Sequence, residues 1–264
     1  MNRNPHKEKI LKTINTLAYK YSVWNVFGDF VELGALCIAN SCAVKNSEEW
    51  EKREKQYLET IGKYESDEQK LFPEMFADLV DALTYELTWS NAPVDILGQI
   101  FHGLELHNKY KGQFFTPQHI CDFMGAISLG DSADAIKERG YITVCEPCCG
   151  SGAMVLGFLK AMFDAEMNYS TQVVVTATDV DLKCVHMCYL QLALYGVPAV
   201  VIHGNTLTLE EWSRWFTPVY IVHGWRWRSG CVSNLDKHGV QEPKEETPKA
   251  PDKPVQLSLF GEGG

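Results

Sequence analysis

Over the first hundred residues, apolar side chains recur at three- and four-residue intervals, in Ile10-Leu11-Ile14-Leu17-Ala18 and again in Leu71-Met75-Phe76-Leu79-Val80-Leu83. That spacing collects them on one face of a helix. Residues 47–63 between them read as a charged helix capped by Ser47, and residues 94–101 as a further short helix. From Tyr141 the rhythm changes to short β-rich runs alternating with helical stretches, the pattern of a parallel α/β sheet. Residues 141–144, 173–177 and 199–202 read as strands, with helices over 153–163 and 182–195 between them, so three strand ends point at one edge of the sheet. Residues 210–216 lack an apolar run and read as a helix or irregular turn. After Ser233 the chain becomes rich in Pro, Glu and Lys, the composition of an extended linker, until apolar residues return at Val255. The organisation expected is a helical module over 1–110, an α/β domain over 111–232, a disordered linker over 233–255 and a short docking peptide over 256–260.

Composition narrows this picture without redrawing it. A chain of 264 residues with 45% apolar and 22% charged side chains can bury a full core. Its formal charge of −10 argues against broad electrostatic binding of nucleic acid. The one dense basic and aromatic cluster, Trp225-Arg226-Trp227-Arg228 with Arg214, suits either stacking with phosphate contact or a solvated strand end held by cation–π packing. No stretch of 18 apolar residues occurs, and a cytoplasmic protein without a membrane partner is expected. Of nine cysteines, Cys145, Cys148, Cys149, Cys184 and Cys188 fall within predicted core elements and read as reduced, small hydrophobes. Cys145-x-x-Cys148 has no second ligand pair at zinc-finger spacing, so no metal is expected.

Candidate chemistry gathers at the strand ends. In Glu146-Pro147-Cys148-Cys149-Gly150-Ser151-Gly152, the glycines let backbone N–H groups approach a ligand and open a helix whose N-terminus favours negative charge. Asp179, at the end of the next strand, stands where a nucleotide-binding α/β domain places a carboxylate for ribose hydroxyls. Either feature alone is common, since an acid at a strand end often only caps a helix. Together they favour cofactor binding.

Those residues carry a family resemblance. Lys111-Gly112-Gln113-Phe114-Phe115-Thr116-Pro117, followed by the Glu146–Gly152 turn, resembles the modification subunits of type I restriction systems, the N6-adenine DNA methylases. Asp95-Ile96-Leu97-Gly98 and the helical N-terminus are also similar to that family, and the resemblance spans roughly residues 90 to 210. It implies an incomplete Rossmann-like methyltransferase sheet in which residues 112–207 form the half that binds S-adenosyl-L-methionine. Residue by residue, it implies that Phe115, Thr116 and Pro117 line the methionine side of the pocket. Glu146, Pro147, Gly150 and Gly152 would hold the amino-acid moiety, Asp179 the ribose and Asn205 the adenine edge. Glu146 stands where the family more usually has Asp. For the target adenine the family uses an Asn/Asp-Pro-Pro-Phe/Tyr loop, and the corresponding stretch here is Thr217-Pro218-Val219-Tyr220. Thr217, Pro218 and Tyr220 are thus the catalytic candidates, although a Thr hydroxyl cannot reproduce the reach of a carboxamide.

Gln256-Leu257-Ser258-Leu259-Phe260 looks like the pentapeptide by which bacterial replication and repair proteins dock on the β sliding clamp. Leu259 and Phe260 would fill an apolar pocket, Leu257 a shallower one, and Gln256 would set the register. A linker of about 20 residues reaches at most about 60 Å, enough to hold the domain near clamp-loaded DNA. The function expected is a DNA adenine N6-methyltransferase of a phage or mobile element, brought to DNA by the clamp. Its alternatives are a catalytically silent relative acting as a clamp-tethered adaptor or competitor, and a partial modification subunit that needs a separate specificity subunit.

Overall fold

The computed structural model describes residues 4–89, 91–104, 116–130 and 132–228. Six helices open the chain: α1 (Pro5–Leu17), α2 (Val23–Ser41), α3 (Glu48–Ile61), α4 (Ser66–Gln69), α5 (Leu71–Trp89) and α6 (Ile96–Gly103). Their starts follow capping chemistry. Asn4 accepts from the His6 and Lys7 N–H groups, Ser22 from Asn25, Ser47 from Trp50 and Asp95 from Gly98, each satisfying a donor that has no partner inside its helix. Of the apolar positions at helical spacing, Ile10, Ile14 and Leu17 in α1 and Met75, Leu79 and Leu83 in α5 are buried, whereas Val80 is exposed.

Two further helices, α7 (Gln118–Leu129) and α8 (Ser132–Arg139), lead into strand β1 (Ile142–Glu146). Then follow α9 (Ala153–Asp164), α10 (Tyr169–Gln172), β2 (Val173–Asp179), α11 (Leu182–Leu194), β3 (Ala199–Asn205), β4 (Glu210–Phe216) and α12 (Pro218–Val222), with a last 3-10 turn at Trp225–Trp227. The sheet order is β1-β2-β3-β4. β1, β2 and β3 run parallel, which makes them one βαβαβ half of a doubly wound sheet, and β4 returns antiparallel to β3. The α/β fold with helices preceding it is the one expected.

β4 corrects the reading of residues 210–216 as a helix or irregular turn. Trp212, Trp215 and Phe216 stand at i, i+3 and i+4, a spacing that reads as helical, yet the segment pairs along its length with residues 200–205. Trp215 packs on His186 and Tyr189 on one face of the sheet, and Phe216 on Tyr220 on the other, so successive residues face opposite ways as a strand requires.

One hydrophobic core runs from the helices into the sheet, joining Ile14, Phe27, Phe30 and Leu36 to Leu156, Val175, Val185, Leu190 and Val201. Residues 1–231 accordingly form one compact unit. Lys183 reinforces the join by lying 3.7 Å from the Trp24 ring centroid and donating to the Trp24 carbonyl at 3.0 Å; burial lowers its pKa to about 8. Helices α7 and α9 cross so closely that a Cβ at Gly125 would lie 2.4 Å from the Gly157 carbonyl oxygen. No helix among the described residues is long and apolar enough to cross a membrane.

His186 sits inside this core, edge-on to Trp215 at 4.8 Å, with Nε2 unpartnered among the described residues. Burial lowers its pKa to about 3. A depressed histidine contributes stability that is present above its unfolded pKa, near 6.5, and is lost as pH falls toward 3. Denaturant titrations between pH 7 and pH 3 should therefore show His186→Phe keeping about 4 kcal/mol more of its neutral-pH stability than the parent. Equal pH slopes would refute this assignment.

Candidate functional site

The parallel strands bring their C-terminal ends to one edge, and the predicted cofactor residues that the structure describes collect there. Glu146 ends β1, Asp179 ends β2 and Asn205 ends β3. Between β1 and α9 the turn needs left-handed backbone at Gly150 (φ 52°) and Gly152 (φ 96°), which glycine adopts without Cβ strain. At Gly152 a Cβ would also meet the Cys188 sulfur at 3.1 Å, so a side chain at the start of this helix would be both strained and crowded.

Hydrogen bonds tie the three strand ends together. Asp179 accepts from the Gly150 N–H through Oδ2 at 2.8 Å and from the Asp181 N–H through Oδ1 at 2.9 Å, while the Cys149 N–H donates to the Thr178 carbonyl. Each carboxylate oxygen retains a second lone pair. Glu146 accepts from the Cys148 N–H at 3.1 Å, and the Thr206 hydroxyl donates to the Pro147 carbonyl at 2.6 Å. The Asn205 carbonyl oxygen accepts from the Leu207 and Thr208 N–H groups, fixing the turn after β3. Two carboxylates and a carboxamide thus border a turn of backbone donors, a set suited to a ligand with a cationic amine, a vicinal diol and a heteroaromatic edge.

Behind the turn lies a polar network whose centre the sequence reading had only as part of a motif. Asp95 is buried, and its carboxylate accepts from the Gly98 N–H at 2.8 Å, the Gln191 amide at 2.9 Å and the Ser151 hydroxyl at 2.6 Å. Gln191 also donates to the Ser151 carbonyl and accepts from the Leu97 N–H. The Asp95 N–H donates to Gln118, the first residue of α7. That bond joins the start of α7 to the start of α6, and Thr116 and Pro117 just before it are both exposed. Phe115, together with residues 111–114, lies outside the described residues, as does the peptide Gln256–Phe260. An acid three residues before a glycine in a helix start, together with a buried Gln on a later helix, was the available signal for this network.

The structure does not bring the catalytic candidates to this edge. Because β4 runs antiparallel, Phe216 pairs with Val200, and Thr217 joins Ala199 at the start of β3. Seven strand residues, about 20 Å, separate that end from Asn205. Thr217 is fully buried; its hydroxyl donates to the Val197 carbonyl at 2.6 Å and accepts from the Ala199 N–H at 2.9 Å. Pro218 is the first residue of α12, and Tyr220 is buried in a small cluster with Val174 and Trp225. The expectation that Thr217, Pro218 and Tyr220 face a target base is therefore corrected: the hydroxyl serves the sheet and the ring serves the core. Nor is the Trp225–Arg228 cluster a strand end. It is a 3-10 turn in which Arg228 stacks 4.0 Å from the buried Trp225 ring, leaving Trp227 84% exposed. Cys149, Cys184 and Cys188 are buried as expected, but Cys145 and Cys148 are exposed, β1 being an end strand of the sheet among the described residues.

Comparison with known proteins gives a family. Residues 94–229 match the N-6 DNA Methylase family. The chain belongs to that family. S-adenosyl-L-methionine is the cofactor of this methylase family, and the donor set at the strand ends fits its amino-acid and ribose groups. The methylase subunit of the type I restriction enzyme MpnII of Mycoplasma pneumoniae is 24% identical over 119 residues, covering 40% of this chain. This chain spans 18% of that relative's length. Among solved structures, the type I restriction-modification methyltransferase subunit of Streptococcus thermophilus is similar over 80% of this chain and 59% of its own, with a TM-score of 0.41 and 14% identity. A class I S-adenosylmethionine-dependent methyltransferase of Listeria monocytogenes gives 86% and 71% coverage, a TM-score of 0.43 and 13% identity.

Burial holds the Asp95 pKa above the ordinary carboxylate range, against the opposing pull of Ser151, Gln191 and Gly98. With the folded pKa raised, its stabilising contribution is complete below the unfolded value and is lost as pH rises through the folded one. Asp95→Asn keeps an oxygen for Gly98 and Gln191 and should match or exceed the parent in stability at pH 7. Asp95→Ala leaves buried donors unpaired and should lose about 1–3 kcal/mol. Chemical denaturation of both variants checks this; equal stability of Asp95→Ala and the parent would show the network to be idle.

Proposed function

We propose that this chain binds S-adenosyl-L-methionine at the C-terminal edge of β1, β2 and β3 and acts in N6-adenine methylation of DNA. The observation that carries this reading is the convergence of the glycine turn with Glu146, Asp179 and Asn205, joined by the Asp179–Gly150 hydrogen bond. Glu146 would receive the cofactor's amino group, the turn after Pro147 would offer backbone N–H groups to its carboxylate, and Asp179 would accept from the ribose hydroxyls through its remaining lone pairs. Asn205 would meet the adenine edge with its amide donors, its carbonyl being committed to the following turn. Phe115, Thr116 and Pro117 would close the methionine side. Once bound, the cofactor supplies an electrophilic methyl group; the chain's own task is to orient it at the strand edge and exclude water.

Delivery to DNA is assigned to Gln256-Leu257-Ser258-Leu259-Phe260, read as a peptide for the bacterial β sliding clamp. Clamp tethering supplies local concentration that a chain of charge −10 cannot draw from phosphate attraction. A second reading is favoured by the far-edge position of Thr217–Tyr220: a silent relative that binds the methyl donor and the clamp without turnover, or that relies on a specificity or catalytic partner for the base-binding loop.

Transfer of labelled methyl groups from S-adenosylmethionine to DNA, with and without loaded clamp, separates the two. The main reading expects label on adenine N6, stimulated by the clamp, with the stimulation falling at least about tenfold in Phe260→Ala. Asp179→Ala should abolish transfer, while Tyr220→Ala should lower the melting temperature yet spare transfer per folded molecule. No label on any DNA would leave the silent reading.

A further inference from the structure

We propose that His6, Asp78 and Asp81 form a binding site for a divalent transition-metal ion of the zinc class, clamping the first turn of α1 to α5. His6 Nδ1 lies 3.3 Å from Asp78 Oδ1 and 3.6 Å from Asp81 Oδ2, and one ligand atom from each of the three residues falls within 4.8 Å of the others. Among the described residues no other set of His, Cys, Asp or Glu converges in this way.

The ligands stand on two helices that are already locked together. Asp78 and Asp81 are three residues apart on α5, so their side chains leave one face. His6 is held opposite them by Asn4. The Asn4 amide donates to the Ala82 carbonyl and to Glu86 of α5, each at 3.0 Å, while its oxygen caps α1 by accepting from the His6 and Lys7 N–H groups. One turn on, Ile10 is fully buried. The imidazole is therefore positioned before any ion arrives.

Ion pairing alone accounts poorly for the spacing. A single Nδ1 faces two carboxylate oxygens, and both distances exceed those of a good N–H···O hydrogen bond, about 2.7–3.2 Å. They approach the edge of a tetrahedral site instead, since metal–ligand bonds of about 2.0–2.1 Å keep the ligand atoms about 3.3 Å apart. Two carboxylates on one helix face also repel each other. Lys9 answers one of them, 3.2 Å from Asp78 Oδ1, but it is mostly exposed and can swing aside. Asp81 has no ion-pair partner besides His6 among the described residues. A cleft of about 560 Å³ between α1 and α5 borders both carboxylates, so water can reach a fourth position. An imidazole with two carboxylates suits zinc, cobalt or nickel better than magnesium or calcium, which prefer oxygen ligands throughout. The site shares no residue with the strand edge that carries the proposed function, so the two stand or fall separately.

Isothermal titration of the full chain with zinc chloride, and with magnesium chloride in parallel, tests the assignment. The expected result is one-to-one zinc binding in the micromolar range, at least about a hundredfold tighter than magnesium binding. At a free zinc concentration of about a hundred times Kd the melting temperature should rise by about 5 °C or more. His6→Ala and Asp81→Asn should each weaken zinc binding at least about tenfold. Lys9→Ala, which removes the rival cation from Asp78, should tighten it. Cobalt(II) in place of zinc should lack the intense near-ultraviolet band of a thiolate ligand, which separates this site from the exposed Cys145 and Cys148. Zinc binding no tighter than millimolar overturns the proposal, as does zinc binding unchanged in either His6→Ala or Asp81→Asn. A thiolate band on cobalt, or magnesium binding as tight as zinc binding, overturns it as well.

Discussion

The cofactor edge depends on one buried carboxylate. Asp95 opens α6, yet its oxygens reach the Ser151 hydroxyl in the glycine turn and the Gln191 amide on α11, while its N–H reaches Gln118 at the start of α7. Four elements that are distant in sequence are thereby fixed around a turn of two left-handed glycines. The two glycines bring no side chain of their own to hold that turn, so its neighbours Cys149 and Ser151, both buried, must anchor it. The buried polar contacts that hold it must all be satisfied, because an unpaired buried donor costs more than a well-made hydrogen bond contributes. The helical segment is thus part of the site's support, and the continuous core from α1 to β4 says the same in apolar terms.

A second constraint is the direction of β4. A parallel continuation would have carried the chain back toward the C-terminal edge; a hairpin carries it away, and Thr217 becomes a latch between the start of β3 and the end of β4. The same hairpin occupies the outer side of β3, and among the described residues β1 is the strand at the other end of the sheet.

The helical periodicity, the three parallel strands, the glycine turn and Asp179 were all legible in the sequence, because each obeys a local rule: apolar spacing, β-branched runs, positive φ at glycine, an acid at a strand end. β4 was not legible, since its aromatic residues are spaced as in a helix and its pairing with β3 is a tertiary fact. Thr217-Pro218-Val219-Tyr220 resembled a catalytic loop in composition and interval, but strand direction, which the residues do not encode locally, decides which edge it occupies. Asp95 and Gln191 were hidden for a related reason: their importance comes from meeting each other across 96 residues. Cys145 and Cys148 read as core because a parallel strand is usually covered, and this one is an end strand among the described residues.

The central claim is that the edge formed by Glu146, Gly150, Gly152, Asp179 and Asn205 holds S-adenosyl-L-methionine. Isothermal titration of the folded full-length chain with that cofactor tests it most directly. The account predicts saturable one-to-one binding in the micromolar range, weakened at least about a hundredfold, or about 2.7 kcal/mol, when Asp179 is replaced by alanine. No measurable binding to the folded parent, or equal affinity in the Asp179 variant, would contradict it.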